Sequence, residues 1–523
     1  MRTPVAIACA VLALTSGCQR AADNTTPAAD HVSAGGGIGA DAWRIPADVG
    51  GAASDADWIR HGWQSFVALN WPAGTKWPNA GQGGMPDKTM TITDPRAAAR
   101  PVVWQTYLAP GQAFRENGQD PGPWDAPVVP FTSRPDPRDA SRSLPVLGGF
   151  AEKSIYFLTQ NPDFGLALFD LATTPNPVVD QHGNYVLLEV RLNQREFEYF
   201  RQTRYYDTCR QLEDTRAPSG GTFRYLPDAA DTSLPEWAQQ GAVEIKASWR
   251  ILDETWDITR RYFTIRAFYL KPNGEVSEPV TLGLTGLHIL QNTPRSTSTW
   301  FWTTFEHVDN VRIAERPVPT RPNGQPLAPS FNPGPAGAEP SYVYGFDMTD
   351  RFQYNLLASD EAHYNPVTQP AMLSAGDVIP RTPPDRPVPA SRVIPIRGAV
   401  QRMNAEYQAK LKGSVWQYYE MIDVLYPDPN GMSEVLKSND KHFSPKLLIN
   451  APALVNTTME TYLAYKYSTW SLDTCQSCHY NAKPHVAEGI YGETLAPPQV
   501  FSYLYRRATP SRALDAAGMC QPK

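Results

Sequence analysis

Two thiols and an imidazole stand within five residues near the end of this 523-residue chain, in Cys475-Gln-Ser-Cys478-His479. On a helical turn, side chains three apart lie on one side. The sulfurs of Cys475 and Cys478 can then both add to the vinyl groups of one porphyrin while the His479 imidazole meets its iron. One short segment would fix the cofactor and supply its proximal ligand. A structural zinc site takes four ligands, usually from two separated pairs, and the chain has no second C-x-x-C. A thioredoxin-type redox pair opens a helix after a strand, whereas the residues before Cys475 have helical spacing. One covalently attached haem c is the expected cofactor.

The sixth iron ligand must come from elsewhere in the chain. Met519 is the one methionine among the 44 residues after His479, and its bland reading is a terminal side chain. His485 follows His479 too closely to cross to the opposite haem face, and His442 reads as a loop residue. Strand alternation groups His307 with Phe301, Thr303 and Phe305, and His288 with Leu282, Leu284 and Leu290. For both, the alternative is a buried histidine hydrogen-bonded to backbone. Glu306 and Asp309 stand close to His307 and could orient an imidazole, although alternation puts Glu306 on the other face. His307 is therefore the candidate sixth ligand. The signatures of hydrolase, zinc-protease and phosphate-loop chemistry (G-x-S-x-G, H-E-x-x-H, G-x-x-x-x-G-K) do not occur.

Covalent haem attachment of this kind calls for an export route, and the N-terminus reads as one. Arg2, the apolar run Pro4 to Leu14 and the small residues of Thr15-Ser-Gly-Cys18 have the order of a signal peptide, residues 1–17. The stretch resembles a bacterial lipoprotein signal, with Thr15 where leucine is usual and Leu14 one place earlier; Cys18 matches the lipid-bearing position. Ordinary secretion is the alternative. No later run is long and apolar enough to span a bilayer, so membrane attachment is expected by lipid anchor only. Of six cysteines, Cys9 leaves with the signal, Cys18, Cys475 and Cys478 have roles, and Cys209 and Cys520 remain. In an oxidising compartment they form one disulfide or stay as two buried thiols. The formal net charge of −6 offers no basic field, so nucleic acid is not an expected partner.

Other segments must position these groups. Residues 18–45 are polar and Gly-rich, a flexible tether; their Gly35-Gly-Gly-Ile-Gly39 lacks the strand a dinucleotide fingerprint needs. Residues 46–315 form a helix plus a β-rich domain. Ser54 and Asp57 make a capping box ahead of Ile59, Trp63, Phe66 and Val67, and Pro72 ends that helix. Residues 72–146 read as ordered loop with short strands. Five alternating segments follow, at 185–192, 242–252, 262–270, 281–290 and 298–308. In the second, Val243, Ile245, Ala247, Trp249 and Ile251 face the core, and Glu244, Lys246, Ser248 and Arg250 face water. Residues 316–397, with three proline-rich runs, form a connection. In 398–523, Val400, Met403, Tyr407 and Leu411 mark one helix, and Thr457 with Glu460 opens another along Met459, Leu463 and Trp470. The fold class is α+β: an antiparallel β-rich sandwich or barrel-like central domain with a mainly α-helical haem-binding C-terminal region.

The chain resembles the c-type cytochromes. Trp63-Gln-Ser-Phe-Val-Ala-Leu-Asn-Trp-Pro72, Gly286-Leu-His-Ile-Leu-Gln-Asn-Thr-Pro294, Phe305-Glu-His-Val-Asp-Asn310 and Cys475-Gln-Ser-Cys-His479, in this order, are similar to a group of exported bacterial cytochrome c family proteins of like length. The likeness runs over most of residues 55–507. It implies haem at Cys475, Cys478 and His479 and gives the other motifs no role. The expected function is electron transfer by a periplasmic monohaem c-type cytochrome, lipid-anchored at Cys18, with a redox partner protein or a small-molecule reductant. The alternatives are a haem enzyme of peroxidase or oxygenase type with a substrate pocket in the β-rich domain, and a binding module in which haem is a staple or gas sensor.

Overall fold

The computed structural model describes residues 37–49, 53–74, 85–128, 132–147, 180, 182, 184, 186–215, 239–269, 276–293, 300–313, 316–331, 396–427, 448–449, 454, 456–459, 479, 502–516 and 518–522. Cys18, Cys475, Cys478, His442 and His485 lie outside them, as do the signal and most of the tether. Residues 37–523 form one compact unit. Among the described residues no helix is long and apolar enough to cross a membrane.

The protein is α+β, built on one nine-stranded sheet that does not close into a barrel. The strands are β1 (Ser133–Asp136), β2 (Asp139–Leu147), β3 (Leu187–Leu192), β4 (Val243–Ile251), β5 (Thr264–Tyr269), β6 (Val280–Gln291), β7 (Phe301–His307), β8 (Tyr419–Pro427) and β9 (Leu448–Ile449). β6 is the hub. Along one edge it pairs with β4, from Val243↔Gln291 to Ile251↔Leu282. Its other edge is shared: β7 takes residues 286–291 and β5 takes 280–283, all antiparallel. An edge divided between two partners forks the sheet. A bulge at Ser248/Trp249 on the β4 side of β6 falls at the fork, where extra twist is needed.

One face of this sheet is covered by α1 (Asp55–Leu69), started by the expected capping box: the Ser54 hydroxyl accepts from the Asp57 amide, and the Ser54 amide donates to the Asp57 carboxylate at 2.8 Å. Its apolar stripe stacks on β7. The rings of Phe66 and Phe305 are 4.1 Å apart, Trp63 meets Phe305 edge-on at 4.9 Å, and Trp58 stacks on Phe301 at 5.5 Å. Beside it lies α4 (Gly398–Lys410), which buries Val400, Met403 and Tyr407 as their spacing predicts. Trp63 donates to Asn404 Oδ1 at 3.0 Å, and Tyr407 stacks on Trp63 at 5.0 Å. Two further helices, α2 (Gln194–Thr203) and α3 (Thr208–Thr215), follow β3 directly.

Region 398–523 also contains a strand: Tyr419–Pro427 is β8 and pairs with β7, from His307↔Tyr419 to Trp302↔Leu425. One expectation is corrected here: β4 is not half-exposed. Eight of its nine residues are buried, Glu244, Lys246, Ser248 and Arg250 among them, so the polar face of the sheet is covered as well. Cys209, on α3, is joined to Cys520 by a disulfide across 311 residues, the pairing favoured by the cysteine count. It ties the C-terminal tail to the middle of the chain.

Candidate functional site

His479 is the described residue of the Cys475-Gln-Ser-Cys478-His479 motif, and it is helical and half-buried. Its ring stands edge-on to Trp302 of β7, centroids 6.0 Å apart, and edge-on to Tyr503 at 5.0 Å. Tyr503 begins a short 3₁₀ turn, Tyr503–Arg507, whose first amides are capped by the Ser502 hydroxyl at 3.1 Å from Leu504 N. Two aromatic edges restrict how this imidazole can turn. An imidazole held in a fixed orientation and partly shielded from water fits the proximal role of a haem iron ligand.

Trp302 faces away from α1, because alternation along β7 sends Phe301, Thr303, Phe305 and His307 to the helix side and Trp302, Thr304 and Glu306 to the other. The second side is where the segment before the motif is seated. Asn456 donates to Thr304 Oγ1 and to the Phe305 carbonyl, both at 3.0 Å. The Thr457 amide and hydroxyl donate to the two oxygens of Glu306, at 2.8 and 2.5 Å. Thr458 shares a 2.6 Å hydrogen bond with Ser248 of β4. The Asn456-Thr-Thr458 turn thus crosses β4, β6 and β7, and its closest approach to β6 is at Gly286. A Cβ there would lie 2.6 Å from Thr458 Oγ1, 2.7 Å from Ser248 Oγ and 2.8 Å from Asn456 Nδ2. Gly286→Ala is expected to lower stability by about 1–3 kcal/mol through overpacking. Urea unfolding measures it, and an unchanged midpoint would mean that the turn is not seated on β6.

His307 is on the α1 side of the sheet, opposite Trp302, and both ring nitrogens are engaged: Nε2 donates to the Arg261 carbonyl and Nδ1 accepts from the Asp309 amide, each at 3.1 Å. Its ring stacks on Tyr262 at 3.7 Å. Burial first, against the opposing charge of Asp309, lowers its pKa to about 4, so it is neutral at physiological pH. The residues read as its orienters have other partners. Glu306 grips Thr457, and Asp309 receives two 2.7 Å bonds from Arg261. Met519 is also otherwise engaged, buried against Leu212 in a small cluster beside the disulfide.

His288 has a different position. It is cross-strand from Lys246 of β4 and Thr304 of β7, on the Trp302 side. All three are buried. Trp302 and Leu290 occupy the adjacent cross-strand row. Among the described residues, His288 is the one sheet histidine that shares a face with the neighbours of His479. Sequence reasoning missed Trp302, Tyr503 and the 456–458 turn. Alternation does put Trp302 opposite Phe301, but nothing local marks that face as covered.

Three of the four motifs that carried the resemblance meet in space. Ser65 of the first donates to Gln291 Oε1 of the second at 3.4 Å, Phe66 stacks on Phe305 of the third, and Asn310 of the third donates to the Thr285 carbonyl at 2.8 Å. They act as joints between α1, β6 and β7. Comparison with family models, with curated proteins and with solved structures finds no match for this chain. The class defined by fold and site is an open-sheet α+β protein in which His479 of the C-x-x-C-H motif stands against Trp302 of β7.

Proposed function

We propose that the chain is a monohaem c-type cytochrome, periplasmic and held to a membrane by lipid at Cys18, which exchanges single electrons with a redox partner protein or a small-molecule reductant. The observation that carries this reading is the seat of His479: the motif's imidazole is clamped by Trp302 and Tyr503 on a covered face of the sheet. Cys475 and Cys478 would hold the porphyrin by thioethers, His479 would hold its iron, and His288, on the same sheet face as Trp302, would be the candidate for a second iron ligand. Bound there, haem supplies a one-electron couple at the iron. The protein's part is to fix the imidazole, exclude water and keep both ligands in place between redox states, which favours electron transfer over ligand chemistry.

The optical spectrum of purified protein tests this. A low-spin reduced spectrum unchanged by carbon monoxide supports the carrier. A high-spin ferric form, with a reduced form that binds carbon monoxide, supports the peroxidase or oxygenase alternative. His288→Ala is expected to convert the low-spin spectrum to high-spin and open the iron to carbon monoxide. A variant that stays low-spin removes His288 from the ligand set.

A further inference from the structure

Just past the end of β7 the chain makes a small open cleft from two walls. Residues 308–313 give the first wall, and residues 316–319 and 327–329 give the second. The walls are fastened together where the Ser330 amide donates to the Asp309 carbonyl at 2.8 Å and the Phe331 amide donates to the Asn310 carbonyl at 3.0 Å. The second wall is closed on itself by the Leu327 amide, which donates to the Pro319 carbonyl at 2.7 Å. The space between the walls, mouth included, is about 360 Å³, at the small end of ligand sites. Its lining is mostly apolar. Val311 and Leu327 are buried in it, and Pro317, Pro319 and Pro329 add three rings. Val318 is 40% exposed and belongs to the mouth.

The charges around the cleft do not balance. Asp309 receives two 2.7 Å bonds from Arg261, and Glu420 is paired with Arg316, which also donates to the Val308 carbonyl at 2.9 Å. Both carboxylates are therefore matched. Arg312, half-buried in the first wall, is matched to none among the described residues. Its Nη2 donates across to the Leu327 carbonyl at 3.2 Å, and its buried Nε has no hydrogen-bond partner. A guanidinium partly withdrawn from water and left without a counter-charge favours an anion, and its planar fork suits a carboxylate. The prolines narrow the choice further. They carry no N–H, and the Leu327 amide is already engaged, so a peptide main chain would find few donors here, whereas a hydrocarbon body would find apolar contact.

We propose that this cleft binds a small free monocarboxylate, its head on Arg312 and its apolar body, of about four to seven carbons, between Leu327 and the prolines. The site is remote from His479. Trp302 stands near the start of β7 and the cleft follows its end, roughly 17 Å along the strand. The inference is therefore independent of the haem assignment.

The test is a methyl-resonance titration of purified full-length protein, following Val311, Ile313 and Leu327. With 4-methylpentanoate these methyls are expected to shift and saturate, with a Kd of about 1 mM, the scale for one charged pair and a few covered carbons. The neutral isostere 4-methylpentanamide should leave them in place. Arg312→Met, which keeps the apolar stem and removes the charge, should weaken the acid at least about tenfold. Val318→Asp, at an exposed position that does not threaten folding, should weaken it about threefold by repelling the head. Equal responses to acid and amide, no saturable shift with the acid, or unchanged affinity in both variants would overturn the proposal. An acetylated tripeptide ending in leucine carries the same head and body on a main chain and is expected to bind more weakly. Tighter binding of that peptide would overturn the assignment to a free acid.

Discussion

Replacing Cys475 and Cys478 together by alanine, in a host able to ligate haem, is expected to abolish covalent porphyrin altogether. Wild type should carry one haem mass on the peptide around residues 475–479 and stain for haem after denaturation; the double variant should do neither. Two thioethers made by one helical turn are the only covalent hold in the proposal, because the chain has no second C-x-x-C. The fold should survive the change. The Asn456-Thr-Thr458 turn, β8 and the aromatic stack of α1 on β7 rest on contacts that do not involve these sulfurs. Far-ultraviolet dichroism close to wild type with no bound porphyrin is the expected pair of results. Wild type that is itself colourless, with no added mass on that peptide, would end the redox assignment.

The second large effect concerns the disulfide. Cys520→Ser is expected to cost about 5 kcal/mol, because the bond closes a loop of 311 residues and the chain-entropy contribution grows with loop length. Cys209→Ser should cost a similar amount, and the double variant little more than either alone, since one bond is lost in each case. Urea midpoints of the three variants decide it. Losses that add would indicate two independent thiols. Local contacts keep part of the tail in place without the bond: the Thr208 amide donates to the Thr509 carbonyl at 3.1 Å, and the Ser511 hydroxyl donates to Asp207 at 2.7 Å. The variants should therefore unfold earlier without losing the native fold at low denaturant.

Much of the frame could be read from local pattern. The Ser54–Asp57 box and the spacing of Trp63, Phe66 and Val67 predict α1 because caps and a 3.6-residue period are properties of the segment itself. Alternation likewise predicts β3 to β7. What alternation cannot tell is whether a face is wet. Glu244, Lys246 and Ser248 read as solvent-facing, yet all three are buried, and Thr458, which meets Ser248, comes from 210 residues away. On β3 the surprise is sharper: Glu189 and Arg191 are buried while Leu188 and Val190 are half-buried. The charged pair binds itself, and Trp249 Nε1 donates to Glu189 at 2.9 Å, so its polar groups are satisfied.

The proposed haem attachment rests on near neighbours in the chain, Cys475, Cys478 and His479, whereas the surroundings of His479 come from remote segments. Sequence proximity alone sets Glu306 and Asp309 beside His307 as its orienters. In space the Asp309 amide and the Arg261 carbonyl occupy its nitrogens.

The placement of β8 has a bearing on how the chain is made. β7 ends at His307, and the strand that covers its outer edge begins only at Tyr419. A polypeptide that emerges amino end first leaves that edge bare for more than a hundred residues of synthesis, with Trp302 and Phe305 beside it. An uncovered edge of this kind is a template for pairing with other copies, and a contact so remote in sequence forms slowly. Newly made protein should therefore be most vulnerable to self-association before its last quarter has been delivered.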